Sequence, residues 1–140
     1  MTRSAILAAV VTLAACGGSA GSGGNTMVGA CVAPVNGCAS ADYVDLRGGS
    51  AVITFGNSGS LTYSPRCAEV SVNQTVTFQA GSGASFSVHP ISETCGPVNA
   101  IPHTTSGTSL AVQFGTAGNY GYQCDVHFSS GMTGAIEVVP

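Results

Sequence analysis

From Ala51 to Pro140 the chain is written in short apolar or alternating segments, each broken by Gly, Ser, Asn or Pro before a helical period is established. A helix needs apolar residues at three- and four-residue spacing over ten or more positions, whereas alternation with period two buries one face of a strand. No stretch sustains the helical period, and 20 glycines in 140 residues weigh further against a long helix. Segments rich in β-branched and aromatic residues are predicted as strands at Ala51 to Phe55, Leu61 to Tyr63, Ala68 to Val72, Thr75 to Gln79, Ser85 to Val88, Ser109 to Phe114, Tyr120 to Cys124 and Ala135 to Val139. Strands at this spacing predict an all-β fold, a Greek-key sandwich of about seven or eight strands. The connection from Ile91 to Gly107 carries no strand signal and has room for a helical turn.

Residues 1–15 join one basic residue, Arg3, to an apolar run from Ala5 to Ala15 that ends directly before Cys16. This reads as an export signal, too short to remain in a bilayer as a spanning helix. Its Leu13-Ala14-Ala15-Cys16 ending resembles the bacterial lipobox, which implies a lipoprotein signal peptide and a lipid on Cys16. Plain secretory cleavage after Ala20 is the alternative. Residues 16–30 then comprise the lipidated cysteine and a flexible Gly/Ser tether, since Gly17 to Asn25 offers no side chain able to build a core. Residues 31–140 are the size of one domain. The expected location is that of an exported bacterial protein, periplasmic or at the cell surface, held to a membrane by the lipid on Cys16.

The stretch Cys124 to Met132, C-D-V-H-F-S-S-G-M, places a thiolate, an imidazole and a thioether in one loop. Cys sulfur is soft enough for Cu(I), imidazole suits Cu(II), and a thioether is a weak axial donor, so a second imidazole completes a His2Cys(Met) copper site. His89, at the end of Ala84-Ser-Phe-Ser-Val-His, is the natural candidate. Two residues between Cys124 and His127 let a turn at a strand end aim both side chains at one ion, and four more let the loop return Met132 from the axial side. The candidate ligands of one copper ion are therefore His89, Cys124, His127 and Met132. Each has an ordinary reading when taken alone: half a disulfide, a surface histidine, a core methionine, a loop histidine before Pro90. His103 lies in a Pro-, Thr- and Ser-rich segment and is read as a surface-loop residue, with a place beside the metal or on a docking surface as the other reading.

Cysteine parity agrees with this site. With Cys16 given to lipid and Cys124 to metal, Cys31, Cys38, Cys67 and Cys95 remain, an even number in a compartment where disulfides persist. Four cysteines allow three pairings, and the sequence does not choose among them. There is a lean toward Cys38 with Cys67, which would tie the N-terminal segment to the sandwich and leave Cys31 with Cys95. Beyond the signal, Arg47 and Arg66 stand against Asp42, Asp45, Glu69, Glu93, Asp125 and Glu137, and the chain has no lysine. Such a surface excludes nucleic acid as a partner. The Asp42 and Asp45 pair is read as a solvated loop.

Gly118-Asn-Tyr-Gly-Tyr-Gln-Cys124, the C-x2-H-x4-M loop through His127 and Met132, and Gly131-Met-Thr-Gly-Ala-Ile-Glu-Val138 together resemble the C-terminal part of a cupredoxin, most of all the plastocyanin group. Upstream, Tyr63-Ser-Pro65, the run Val70 to Phe78 and His89 resemble the strand pair leading to the first histidine ligand. The resemblance covers roughly residues 50–140. It implies a cupredoxin-like domain with a type 1 (blue) copper, and an electron carrier cycling Cu(I)/Cu(II) between redox partner proteins whose identity is not readable. It also implies that His127 is the exposed-edge ligand through which electrons pass, with Phe128 and Gly131 on an apolar docking face. A monomer is expected.

One departure from the family pattern is Pro90. In many cupredoxins the residue after the first histidine donates its backbone N–H to the cysteine sulfur, and proline has none. Val126 keeps the N–H that plastocyanins lose to a proline, so one backbone bond to the thiolate is expected from the loop side. Of the other functions, a copper oxidase or nitrite reductase needs a second copper centre with more histidines than the three present, and no enzyme activity is expected. Copper storage or delivery without a redox partner is the alternative function. Zinc would favour a harder fourth ligand than methionine.

Overall fold

The computed structural model describes residues 28–140. The export signal, Cys16 and the run Gly17 to Asn25 lie outside the described residues. The strands are β1 (Val44–Asp45), β2 (Ala51–Phe55), β3 (Tyr63–Ser64), β4 (Cys67–Ser71), β5 (Thr75–Ala80), β6 (Ile91–Cys95), β7 (Ser109–Gln113), β8 (Gly118–Cys124) and β9 (Thr133–Val139). They form a five-stranded sheet in the order β1-β4-β9-β8-β6 and a four-stranded sheet in the order β3-β2-β5-β7. The chain crosses repeatedly from one sheet to the other, so β2 comes to lie parallel to β5 and β4 parallel to β9. This is the expected all-β sandwich, with nine strands rather than seven or eight.

The inner faces meet in one buried cluster. Ile53 and Phe55 of β2 and Val76 and Phe78 of β5 share it with Val70 of β4, Tyr120 and Tyr122 of β8, and Ile136 and Val138 of β9. Alternation is clean in β2, where Ala51, Ile53 and Phe55 are buried and Val52 is exposed. In β9 it fails, because Gly134, Ala135 and Ile136 are buried in succession. The reason is a second layer outside that sheet: Val35 and Cys38 close over Cys67 and Ala135, flanked by Cys31, Tyr43 and Cys95.

Two disulfides, Cys31–Cys95 and Cys38–Cys67, fasten this arm, and they are the pairing toward which the sequence leans. Asn36 supports them by donating from Nδ2 to the carbonyls of Tyr122 (3.0 Å) and Gly134 (2.8 Å). The two acidic residues of the arm are each tied locally. Asp42 accepts from the Ala39 N–H, and Asp45 pairs with Arg47.

Two expectations are overturned in the region that sets up the site. Ser85 to Val88 is not a strand: the N–H groups of Val88 and His89 both donate to the Ser85 carbonyl, at 3.2 and 2.9 Å, and close a turn. Phe86 is buried and Val88 is half exposed because the turn rotates them apart, which in sequence mimics alternation. Ile91 to Cys95, where a helical turn had room, is strand β6. It lies at the sheet edge with only Ile91 fully buried, so its Ser, Glu and Thr residues give no apolar signal.

Candidate metal centre

β6 and β8 pair with Ile91 opposite Cys124, and this register brings two loops to the same end of the sandwich. His89 stands two residues before β6, and Cys124 is the last residue of β8. Sequence-distant side chains thus reach one place through a single antiparallel ladder.

The loop after Cys124 is closed by its own backbone. The Cys124 N–H donates to the Met132 carbonyl at 2.9 Å, while the His127 carbonyl accepts from Ser130 (3.0 Å) and Met132 (3.2 Å). Phe128–Ser130 form a single 3-10 turn that ends on Gly131, whose φ of +87° is a left-handed conformation suited to glycine. Cys124 and Met132 are fully buried in the common core. His127 is partly exposed, flanked by Val126 and Phe128, which are largely exposed.

His89 is held from beneath by the turn from Ser85 and from the side by Gly56. That glycine has φ +65°, and a Cβ on it would stand 2.7 Å from the Ala84 Cβ and 3.0 and 3.1 Å from the Cδ2 and Nε2 of the His89 ring. Phe55, one residue earlier, meets the imidazole edge-on at a centroid distance of 6.2 Å. His89 is 5% exposed. Burial, and then the neighbouring His127, lower the His89 pKa, which favours the neutral imidazole that a metal ligand requires.

Three donor atoms converge. His89 Nδ1 and His127 Nδ1 are 3.1 Å apart, and the Cys124 sulfur lies 3.9 Å from the first and 3.5 Å from the second. Two imidazole nitrogens that face each other this closely cannot both carry hydrogen on that side. A triangle with these edges has its centre about 2 Å from every corner, matching the ~2.0–2.3 Å at which imidazole nitrogen and thiolate sulfur bind a first-row metal ion. The donor set fits a soft, imidazole-tolerant ion such as copper. Among the described residues His89, Cys124 and His127 are the one such cluster of His, Cys, Asp and Glu, and Cys124 is the one free cysteine.

The predicted ligands are therefore brought together, three as converging atoms and Met132 as the buried residue that closes the same loop. Two details differ from expectation or go beyond it. The Val126 N–H makes no bond to the Cys124 sulfur, whose polar partners among the described residues are the two imidazole nitrogens. Pro90 does contribute, through its carbonyl, which accepts from the Asp125 N–H at 3.0 Å. His103 is not a ligand; its Nε2 pairs with Asp125 Oδ2 at 3.0 Å, beside the loop. Gly56 carries no signal of this role in the sequence, where Gly-Asn-Ser-Gly reads only as a turn.

Residues 50–139 match the family described as copper binding proteins, plastocyanin/azurin family. A plastocyanin of Scenedesmus fuscus is 33% identical over 89 residues, which span 59% of this chain and 91% of that protein. Oxidised plastocyanin from Dryopteris crassirhizoma shares the fold, with a TM-score of 0.50 and 21% identity over 63% of this chain and 99% of the other. A reduced amicyanin variant does so with a TM-score of 0.50 and 22% identity, covering 64% and 82%.

Proposed function

Because the chain belongs to the plastocyanin/azurin family of copper-binding proteins, we propose that it is an exported, monomeric carrier of single electrons whose one copper ion is held by His89, Cys124, His127 and Met132. The observation that carries this reading is the convergence of two imidazole Nδ1 atoms on the one cysteine that, among the described residues, is left out of a disulfide. When bound, copper supplies a one-electron change between Cu(I) and Cu(II).

The chain's own residues determine how that change is used. Cys124 and Met132 exclude water from the inner side of the site, since both are fully buried. His89 is wedged between the Ser85 turn and Gly56, and His127 is fixed by its place in a self-closed loop. Donors anchored this way move little when charge changes, which suits fast electron transfer. Of the two rings, His127 is the more open, and Val88, Val126 and Phe128 around that end are each about half exposed or more. These side chains fit a redox partner with an apolar, weakly charged face.

Export is supported by the two disulfides, which persist in oxidising compartments. Anchoring through a lipid on Cys16, ahead of the tether at 16–30 and the domain at 31–140, is supported by the Leu-Ala-Ala-Cys ending alone. No helix among the described residues is long and apolar enough to cross a membrane.

The test is an absorption spectrum of the protein with added Cu(II), beside a Cys124→Ser variant. An intense visible thiolate-to-copper band, bleached reversibly by a reductant and missing in the variant, is expected. A colourless protein that still takes up one ion through these residues would point instead to metal storage or delivery.

A further inference from the structure

Among the described residues, a cluster of polar side chains lies directly beside the ligands. Asp125, the residue after Cys124, is engaged on three sides. Its N–H donates to the Pro90 carbonyl at 3.0 Å, its Oδ1 accepts from the Ser92 hydroxyl, and its Oδ2 meets His103 Nε2 at 3.0 Å. His103 is delivered there by a small bridge, in which Ile91 and Thr104 exchange both backbone bonds at 3.0 Å and lay the segment before Thr104 along the start of β6. Three separate pieces of chain therefore meet on one carboxylate: the strand that follows His89, the loop that carries Cys124 and His127, and the connection between β6 and β7.

We infer that Asp125 is a positioning residue: with Ser92 and His103 it clamps the His89 end of β6 to the Cys124–His127 loop and limits how far the donor atoms separate when the bound ion changes charge. The inference rests on the reading of this site as a one-copper electron carrier. Pro90 gives it a physical reason. Without an N–H at position 90, the segment between His89 and β6 can only accept a main-chain bond, and it accepts that bond from Asp125. Any looseness in Asp125 passes directly to the residue beside each of two ligands.

The contributions are unequal. The His103 side chain is 61% exposed and that of Asp125 33%, so the contact between them is open to solvent and adds little. The Ser92 hydroxyl bond is part-buried, whereas the His103 bond is exposed, so Ser92 carries more of the clamp. Loss should therefore grow in the order His103→Ala, Ser92→Ala, Asp125→Ala. Asp125→Asn, which can still accept from Ser92, should recover most of the function.

The experiment uses the copper-loaded full chain. Electron self-exchange is read from NMR line broadening in mixtures of the two oxidation states, and copper removal is followed with a chelator. Asp125→Ala should keep the visible thiolate band while self-exchange slows at least tenfold and copper removal speeds up at least tenfold, with Asp125→Asn close to the parent. A band-retaining Asp125→Ala with both rates unchanged overturns the clamp. If Asp125→Ala does not fold, Ser92→Ala is read on the same scale. A parent without the band sinks the carrier reading separately, and the clamp is then judged in the metal-free protein. There, hydrogen exchange at the Asp125 and Ile91 amides should accelerate at least tenfold in Asp125→Ala, and unchanged protection overturns it.

Discussion

Tyr63 and Tyr122 meet edge to face at a centroid distance of 4.8 Å, yet only one of the two hydroxyls has a partner. Tyr122 donates to the Arg66 carbonyl at 2.9 Å, whereas the Tyr63 hydroxyl is buried with none. Burial raises the pKa of both phenols, so both hydroxyls stay protonated at neutral pH.

The two phenylalanine substitutions should therefore act in opposite directions. Tyr122→Phe loses one buried bond, but the Arg66 carbonyl keeps the Ala135 N–H at 3.0 Å, so the cost should be near ~1 kcal/mol. Tyr63→Phe removes an unpartnered polar group and should be neutral or stabilising by about 1 kcal/mol. Denaturant midpoints of the two variants decide this, and equal losses in both would refute the assignment of partners.

Gly56 and Gly131 separate backbone strain from crowding at the site. Both have positive φ, but a Cβ on Gly131 meets nothing within 4 Å, while one on Gly56 presses on Ala84 and the His89 ring. Gly131→Ala should cost about 1–2 kcal/mol from conformation alone. Gly56→Ala should add roughly 1–3 kcal/mol for overpacking and shift the visible band of the copper form. A shifted band in Gly131→Ala with none in Gly56→Ala would contradict the wedge on His89.

Glu93 predicts a pH dependence. Burial raises its pKa above the ordinary value of 4.5, although the N–H groups of Ile101 and Ala100 bond to its Oε2 and work the other way. The folded protein thus holds this proton more tightly than the unfolded chain, and the associated stability is present below the unfolded pKa and is lost as pH rises through the folded one. Glu93→Gln cannot ionise, and its amide can accept the same two N–H bonds. Relative to the parent, the variant should gain stability between pH 4 and pH 7. A difference between the two that stays flat across that window counts against it.

The disulfides should matter to the fold and not to the ion. Cys38–Cys67 closes a loop of 29 residues and Cys31–Cys95 one of 64. Replacing both cysteines of either pair by serine should cost about 2–5 kcal/mol. The visible band should survive wherever the variant still folds, because the arm covers the outer face of the sheet, away from the converging donors. Loss of colour in a folded variant would argue that the arm shapes the site.

The ligand loop was legible because its geometry is local: in Cys124 to Met132 the spacing itself dictates which side chains can share an ion. Cysteine parity was legible for a similar reason, since it needs only counting. The strand at Ile91–Cys95 is hidden because an edge strand can be polar, and the turn at Ser85 to Val88 reads as a strand because Phe86 and Val88 imitate alternation. The contacts that shape the site most finely, Gly56 on His89 and Ser92 on Asp125, each depend on a pairing between residues 33 apart. Periodicity carries no trace of these. The expected Val126 bond to sulfur is not formed, and the loop N–H that reaches the segment after His89 is that of Asp125, which donates to Pro90.

The two bridges are nested, with Cys38–Cys67 inside the span of Cys31–Cys95. A protease that cuts the backbone once anywhere between Cys31 and Cys95 therefore leaves the pieces covalently joined until the sulfurs are reduced. Whatever is attached ahead of Cys31 stays tied to the strand that leads away from His89.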